Sequence, residues 1–374
     1  MGVDFRGYYA SAQIALEYGF AEVYDQELQK ETQSTLIYRC PEASDQAPLY
    51  VAMPYLPVFV LLFLPFTLFG FTTSYIIWLS LQLGIFFFYL RHTPNAFGER
   101  VSTFRILQWG ICIPLISNLY LGQINALLVV LFVKFVIALS LGKKRVSGLW
   151  LSTLLIKPHT LILFLPGLLV SQNWSVLAGF AIGSAVIIGA SYLLAGLQGL
   201  VSMIRLTFQF AGPLIQTASG MMNWRALALN LEDIVPAWKP WLIAGLGATA
   251  IFVVVLRRWW RWRFTSPSQL VLLAVTTTFG TFIVSWHSHF YMLMLVVPLL
   301  LYLDTRKILP LYQLAAWLLG APVIYAAAHL LVPALEHNLF GMGMLALNIW
   351  MLFSILKRSW NYLDNRSPII GKPA

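Results

Sequence analysis

The chain has 374 residues, of which 59% are hydrophobic and 10% charged. An ordinary soluble domain is about a quarter charged, so a water-soluble globule is excluded and an integral membrane protein is implied. The formal net charge of +10 does not point to nucleic acid, because the basic residues fall in short clusters between apolar runs, as in cytoplasmic loops.

Residues 1–53 hold eight of the fourteen acidic residues and only three basic ones, Arg6, Lys30 and Arg39. This composition is disfavoured on the cytoplasmic face and reads as a first outer loop. Within it, Tyr8 to Phe20 is expected to form a short amphipathic helix with Tyr9, Ile14, Leu16 and Phe20 resting on the bilayer surface. Residues 54–70, with Pro54, Pro57 and Pro65, are too short and too interrupted for a full crossing and read as a re-entrant or interfacial helix. Apolar runs follow from 71 to 356, several with the roughly 17–25 residues a span needs. They predict an all-α polytopic bundle with about 9–11 transmembrane helices, ending in a cytoplasmic tail at 357–374. No internal repeat or linker divides the sequence, so 1–374 reads as a single domain. Two cysteines, Cys40 in a polar segment and Cys112 in an apolar run, offer neither a disulfide framework nor a metal-binding spacing.

Basic clusters at Arg91, Arg100 and Arg105, at Lys143, Lys144 and Arg145, at Arg257, Arg258, Arg261 and Arg263, at Arg306 and Lys307, and at Lys357 and Arg358 fix one orientation when all are cytoplasmic. Five polar stretches then fall on the outer face: the opening loop, NLYLGQIN at 118–125, the LIKPH turn at 155–159, a long loop over 198–238, and SWHSHF at 285–290. Lys134, mid-span, reads as a lysine that snorkels toward the cytoplasmic side. RRWWRWR at 257–263 reads as a cytoplasmic anchor on an anionic leaflet.

Ionisable groups near the membrane mark candidate sites. Asp4, just ahead of an aromatic-rich helix, is a candidate general base if partly desolvated, and otherwise a solvated carboxylate capping that helix. Glu17, Glu22 and Asp25 are its rivals, at spacings that make no metal motif. Lys157 and His159 flank Pro158 in an apolar hairpin, where a lysine calls for an anion or else snorkels to lipid phosphate. His287 and His289, at i, i+2, suit a loop-to-helix junction, where they would orient a hydroxyl or bind phosphate, or sit with Trp286 in an aromatic belt. Gln123 and Asn125, after Gly122, offer amides to a sugar or phosphate oxygen, although such residues also make plain turns. Arg225 and Asn223 beside Trp224 suit phosphate and a sugar face, or interfacial anchoring. Arg205 falls in the same loop.

The order of DFRGYYASAQIAL, VYD, PYLPVFVLLFLPF, GQINALL, LIKPHTLILFLPGLL and WHSHFYMLMLVVPLL resembles glycosyltransferase family 87 along nearly the whole chain. The resemblance implies a GT-C-type membrane enzyme, similar to polyprenol-phosphate-mannose-dependent mannosyltransferases. Such an enzyme moves a hexose, typically mannose, from a polyprenyl-phosphate donor to a lipid or glycan hydroxyl on the extracytoplasmic face, with inversion. It implies Asp4 as the catalytic base, Lys157 and His287 around the donor phosphate, Gln123 and Asn125 in the pocket, and His159 and His289 beside them; no cofactor or metal is implied. Leu56 departs from the family, which more often has consecutive prolines after the tyrosine. A one-base mechanism suits a donor whose phosphate already leaves well. The competing classes are a transporter or lipid flippase, which would favour paired broken helices and repeat symmetry, and a non-catalytic scaffold, which would leave Lys157 and the histidines without a purpose.

The resemblance also implies a transmembrane helix ahead of the opening loop, and a long outer loop needs such a signal to cross the membrane. The expectation is therefore that the start codon is set too far downstream, or that the sequence is a fragment. Mass spectrometry of the native N-terminus checks this, and a mature protein beginning at Met1 would contradict it.

Overall fold

Apolar runs fold as helices because lipid offers the backbone no hydrogen-bond partner outside the segment itself. The computed structural model describes residues 2–36, 50–211, 220–232, 234–261, 266–331 and 336–364; Arg39, Cys40, Arg263 and the tail beyond 364 lie outside the described residues. Most of the described residues are helical, with no strand among them. The helices are α1 (Val3–Glu17), α2 (Gln26–Thr35), α3 (Pro57–Val60), α4 (Phe71–Ala96), α5 (Thr103–Gly110), α6 (Ile113–Leu121), α7 (Asn125–Ser140) and α8 (Lys144–Ser152). There follow α9 (Phe164–Val170), α10 (Trp174–Ala211), α11 (Trp224–Leu231), α12 (Trp238–Trp260), α13 (Pro267–Val284), α14 (Val297–Thr305), α15 (Leu311–Leu331) and α16 (Glu336–Asp364).

Among the described residues, six helices are long and apolar enough to cross a membrane: α4, most of α10, α12, α13, most of α15 and most of α16. The pair α5 and α6, bent by 58°, makes a seventh if counted as one span. The remaining apolar runs form shorter stretches at Pro57–Leu68, Asn125–Ser140, Pro158–Val170 and Phe290–Thr305. Residues 54–70 hold only α3 and a 3-10 turn at Leu64–Leu68, since prolines at the start of each piece set its boundary.

The chain divides into two compact units, residues 1–89, 110–158 and 174–214 in the first and 90–109, 159–173 and 215–374 in the second. In the first, α8 lies against α7 and α10, and α3 against α10. The α8–α10 crossing is backbone on backbone. A Cβ on Gly148 would overlap the Val176 carbonyl, and one on Gly179 or Gly183 would overlap the Arg145 carbonyl or the Ser152 hydroxyl. Gly179 and Gly183 form the small-residue spacing that lets apolar helices approach closely in lipid. In α10 the helical path is interrupted at Gly196, which takes φ 65°. The second unit is built on α13, of whose apolar span 89% is buried, packed against α12 and α16.

Three sequence expectations change. The opening helix begins at Val3 rather than Tyr8, and it does not lie on a surface: ten of its fifteen residues are buried, Tyr9 and Ile14 among them, because its apolar face is taken by protein. The expected loop over 198–238 is helical up to Ala211, where α10 continues past its break. In RRWWRWR, Arg257, Trp260 and Arg261 are exposed, but Arg258 and Trp259 are buried. The Trp259 indole donates to Thr277 Oγ1 at 3.0 Å and packs on Phe164 and Gly167. Helical periodicity splits that motif between core and exterior.

Gly148→Ala is expected to lower the melting temperature in detergent, at a cost of about 1–3 kcal/mol from overpacking, despite alanine's better helix propensity. Gly189→Ala on α10, where a Cβ meets nothing within 4 Å, serves as the control and is expected to leave the melting temperature unchanged or raised.

Candidate functional site

The first turn of α1 is fixed by its neighbours. The Gly2 N–H donates to the Tyr120 carbonyl at 2.9 Å. Phe5, fully buried, sits among Phe66, Phe71, Tyr75 and Trp78 with ring centroids 5.6–5.9 Å away. Tyr8 stacks on Phe63 at 4.6 Å, and Tyr9 donates to the Phe69 carbonyl at 2.8 Å. The proline-interrupted segment 54–70 thus forms the wall that holds α1, and it presents Asp4 at the helix N-terminus, where the unpaired amides favour a carboxylate.

Opposite this turn lies GQIN. Gly122, at φ 75°, ends α6; a Cβ there would come within 2.6 Å of Phe5 Cβ, so the turn fits against α1 only as glycine. The Trp78 indole donates to the Gly122 carbonyl at 2.9 Å. Behind the turn are two buried polar residues, Asn118, which sequence reasoning noted only as part of NLYLGQIN, and Gln82, which it passed over. Asn118 Oδ1 accepts from the Asn125 N–H at 3.2 Å, and Gln82 Oε1 from the Ala126 N–H at 3.0 Å, so both serve the open amides at the start of α7. A lone glutamine in the apolar run of α4 is the signal that marked it.

Lys157 closes the cluster. It stands between 3-10 turns at Thr153–Ile156 and Pro158–Leu161, is 5% exposed, and donates from Nζ to Gln123 Oε1 at 2.7 Å and Asn125 Oδ1 at 3.2 Å. Gln123 Oε1 also accepts from the Tyr8 hydroxyl at 3.3 Å, and Tyr8 is linked in turn to the Tyr55 hydroxyl at 3.3 Å. Asp4 and Lys157 both lie outside the spanning helices. Asp4 keeps some accessible surface, yet its carboxyl end is enclosed by protein. That burial pushes it up to about 6, against the downward pull of the Lys157 charge, a hydrogen bond from Gln123 and the Arg6 charge. Burial likewise brings Lys157 down to about 8, with Asp4 acting against the fall. A carboxyl poised near neutrality beside a cation is equipped to accept a proton. The rival carboxylates are placed otherwise: Asp25 caps α2 through the Leu28 N–H at 2.8 Å, and Glu17 and Glu22 are exposed.

In the second unit, His287 and His289 sit in the loop between α13 and the 3-10 turn at Phe290–Val296, the junction that their spacing implied. His287 is exposed; its ring lies 4.9 Å from His289 and 6.0 Å from His159. The stretch MNWR holds this loop. Met222 N–H donates to the Ser288 carbonyl at 3.1 Å, and Asn223 Nδ2 to the Ser285 carbonyl at 3.0 Å, while Asn223 Oδ1 caps α11 through the Ala226 N–H at 2.9 Å. The Arg225 guanidinium lies 4.3 Å over the Trp286 ring and donates to its carbonyl at 3.4 Å. Arg225 is therefore a support of the histidine loop in addition to any ligand role, and Asn223 acts as its tie. Arg205 is exposed on α10, in the first unit. Among the described residues, no three His, Cys, Asp or Glu side chains gather in a way that would hold a metal ion.

The fold thus gathers two polar groups, one of Asp4, Gln123, Asn125 and Lys157, the other of three histidines and Arg225. Residues 54–286, more than half of the chain, match glycosyltransferase family 87. The chain belongs to glycosyltransferase family 87. It is a membrane glycosyltransferase, as the order of its motifs implied. The family-87 match takes in Gln123, Asn125, Lys157, His159 and Arg225, while Asp4, His287 and His289 stand outside the matched stretch. No individually curated protein matches the chain.

Asn223→Ala is expected to speed amide hydrogen exchange both at 285–289 and in the first turn of α11. Asn223→Asp, which keeps the capping oxygen and loses the donor, is expected to speed exchange at 285–289 alone. Loop protection at the wild-type level in both variants would contradict the tie.

Proposed function

We propose that this family-87 enzyme transfers a hexose, with mannose the leading candidate, from a polyprenyl-phosphate donor to a hydroxyl of a lipid or glycan acceptor, on the extracytoplasmic face of the cell membrane. The observation that carries this reading is the buried group in which Lys157 Nζ donates to Gln123 and Asn125 with the enclosed Asp4 carboxyl beside it, a setting that also pushes the carboxyl up to about 6. The acceptor oxygen attacks the anomeric carbon while Asp4 takes the hydroxyl proton. The bond from that carbon to the phosphate oxygen breaks, and polyprenyl phosphate leaves with the electron pair, its negative charge met by Lys157. A single displacement inverts the anomeric centre. The buried Nδ2 of Asn125 has no hydrogen-bond partner among the described residues and is suited to a ligand oxygen. His159, His287 and His289 have the chemistry to bind phosphate, and Arg225 can fork it, as the resemblance implies for the histidines. Outer-face placement is supported by the basic clusters, since all five assign the cytoplasm to the other side.

The test is incubation of membranes with a panel of labelled polyprenyl-phosphate sugars and extraction of the product lipid. Asp4→Asn is expected to lower transfer at least a hundredfold, within the span general-base catalysis provides, and to melt no lower than wild type in detergent at pH 7.5. The sign follows from the raised carboxyl: its ionised form is disfavoured in the folded state, a penalty present above about pH 6 and absent at pH 4. A fully active Asp4→Asn enzyme would overturn the assignment. For wild type, kcat/KM is expected to rise through about pH 6 as Asp4 ionises and to fall above about pH 8 as Lys157 loses its proton.

A further inference from the structure

Two amides meet the same ammonium, and their remaining atoms differ. Gln123 Oε1 accepts from Lys157 Nζ at 2.7 Å and from the Tyr8 hydroxyl at 3.3 Å, so its oxygen is fully committed on that side. The side chain is 4% exposed, and its backbone N–H is bound to the Asn118 carbonyl at 2.9 Å, just after the left-handed Gly122. It has no room to swing. A reversed amide would set its NH2 against an ammonium and a phenol donor, so the orientation is fixed and the NH2 group is the part left to serve the Asp4 carboxyl, whose charged form Gln123 favours. Asn125 accepts from the same ammonium at 3.2 Å but keeps a buried Nδ2 without a partner among the described residues.

We propose that Gln123 is a positioning residue, a neutral bridge that holds the Lys157 ammonium with its oxygen and the Asp4 carboxylate with its nitrogen, so that base and cation stay side by side without collapsing into a direct ion pair. This rests on the reading of Asp4 as the base. A carboxylate locked onto the ammonium would be a poor base and would consume the charge intended for the leaving phosphate. Without any donor the buried carboxyl would keep its own proton. The amide avoids both outcomes, and it relays the orientation of Lys157 to Asp4. The charged and titratable groups that act on Asp4 or are acted on by it are Arg6 on its own helix, Lys157 after the Thr153–Ile156 turn, and Tyr55 ahead of α3. Asn125, by contrast, is left to face the ligand.

The deciding experiment follows the Asp4 carboxyl by infrared difference spectroscopy of the full chain in detergent, with Asp4→Asn as the blank, alongside the pH profile of transfer. In Gln123→Glu a second carboxylate takes the ammonium and stands beside Asp4, and the Asp4 titration and the acidic limb are expected to move up by about one pH unit or more. In Gln123→Met, of similar shape and without the bridge, the ammonium reaches Asp4 directly, and both are expected to move down while kcat falls at least tenfold. Asn125→Leu is expected to raise donor KM with the Asp4 titration unmoved. Should Gln123→Glu not fold, Gln123→Met carries the same test. A folded variant at Gln123 in which Asp4 titrates as in wild type, or in which donor KM alone changes, overturns the proposal. An active Asp4→Asn enzyme with the infrared shifts as expected would instead remove the catalytic reading and leave the bridge standing.

Discussion

Taking two opposite charges out of water is the constraint around which the first unit is arranged. Moving each ion alone from water into protein costs several kcal/mol, and for unit charges beyond direct ion-pair reach, at an effective dielectric near 20, the attraction is under about 4 kcal/mol. The attraction alone does not offset that cost, so Asp4 and Lys157 are held only because the rest of their hydrogen-bonding capacity is also served. Gln123 and Asn125 serve the lysine. The amides themselves are set by Asn118 and Gln82, and the turn that carries them is seated by the Trp78 indole. Remove any layer and the inner charges lose their solvation within the protein.

The same economy explains the aromatic and glycine residues at each end of the site. α1 carries its carboxyl in its first turn, and an N-terminal turn frays unless packed. The box of rings around Phe5 prevents fraying without adding a polar group that would compete with Asp4. On the other side, the Lys157 turn follows α8, and α8 is pinned to α10 through Gly148, Gly179 and Gly183. Contact between backbones leaves little slack, so the ammonium is delivered from a rigid support.

Much of this was legible from residue types. The cost of Lys157 in an apolar hairpin, the carboxylate ahead of an aromatic helix and the amides after Gly122 each stood out alone, and the i, i+2 histidines implied a junction that the fold contains. What the residues did not carry was their partnership. Gln123 read as a ligand contact because nothing local shows that its oxygen is taken by a lysine 34 positions later. The burial of α1 was hidden for a related reason, since an apolar face against lipid and one against protein have the same periodicity. Trp259 illustrates a third case: among tryptophans and arginines in series, composition suggested a single role, while the helix turned one ring inward. Asn223 was noticed for its neighbours, and its two-sided bond to the cap and the histidine loop depends on a contact across 62 positions.

The interleaving of the two units bears on biogenesis. The second unit's segments 90–109 and 159–173 are synthesised between parts of the first, so neither unit is a continuous piece of chain. Tyr8 and Gln123, which meet beside Asp4, are 115 residues apart, and at about 5–20 residues per second the ribosome separates them by roughly 6–23 seconds. Throughout that interval the opening helix exists without its amide and ammonium partners. A carboxyl that keeps its proton readily in apolar surroundings tolerates such a wait better than a fixed anion does, so the property that the proposed mechanism draws on also suits the nascent chain at the translocation machinery.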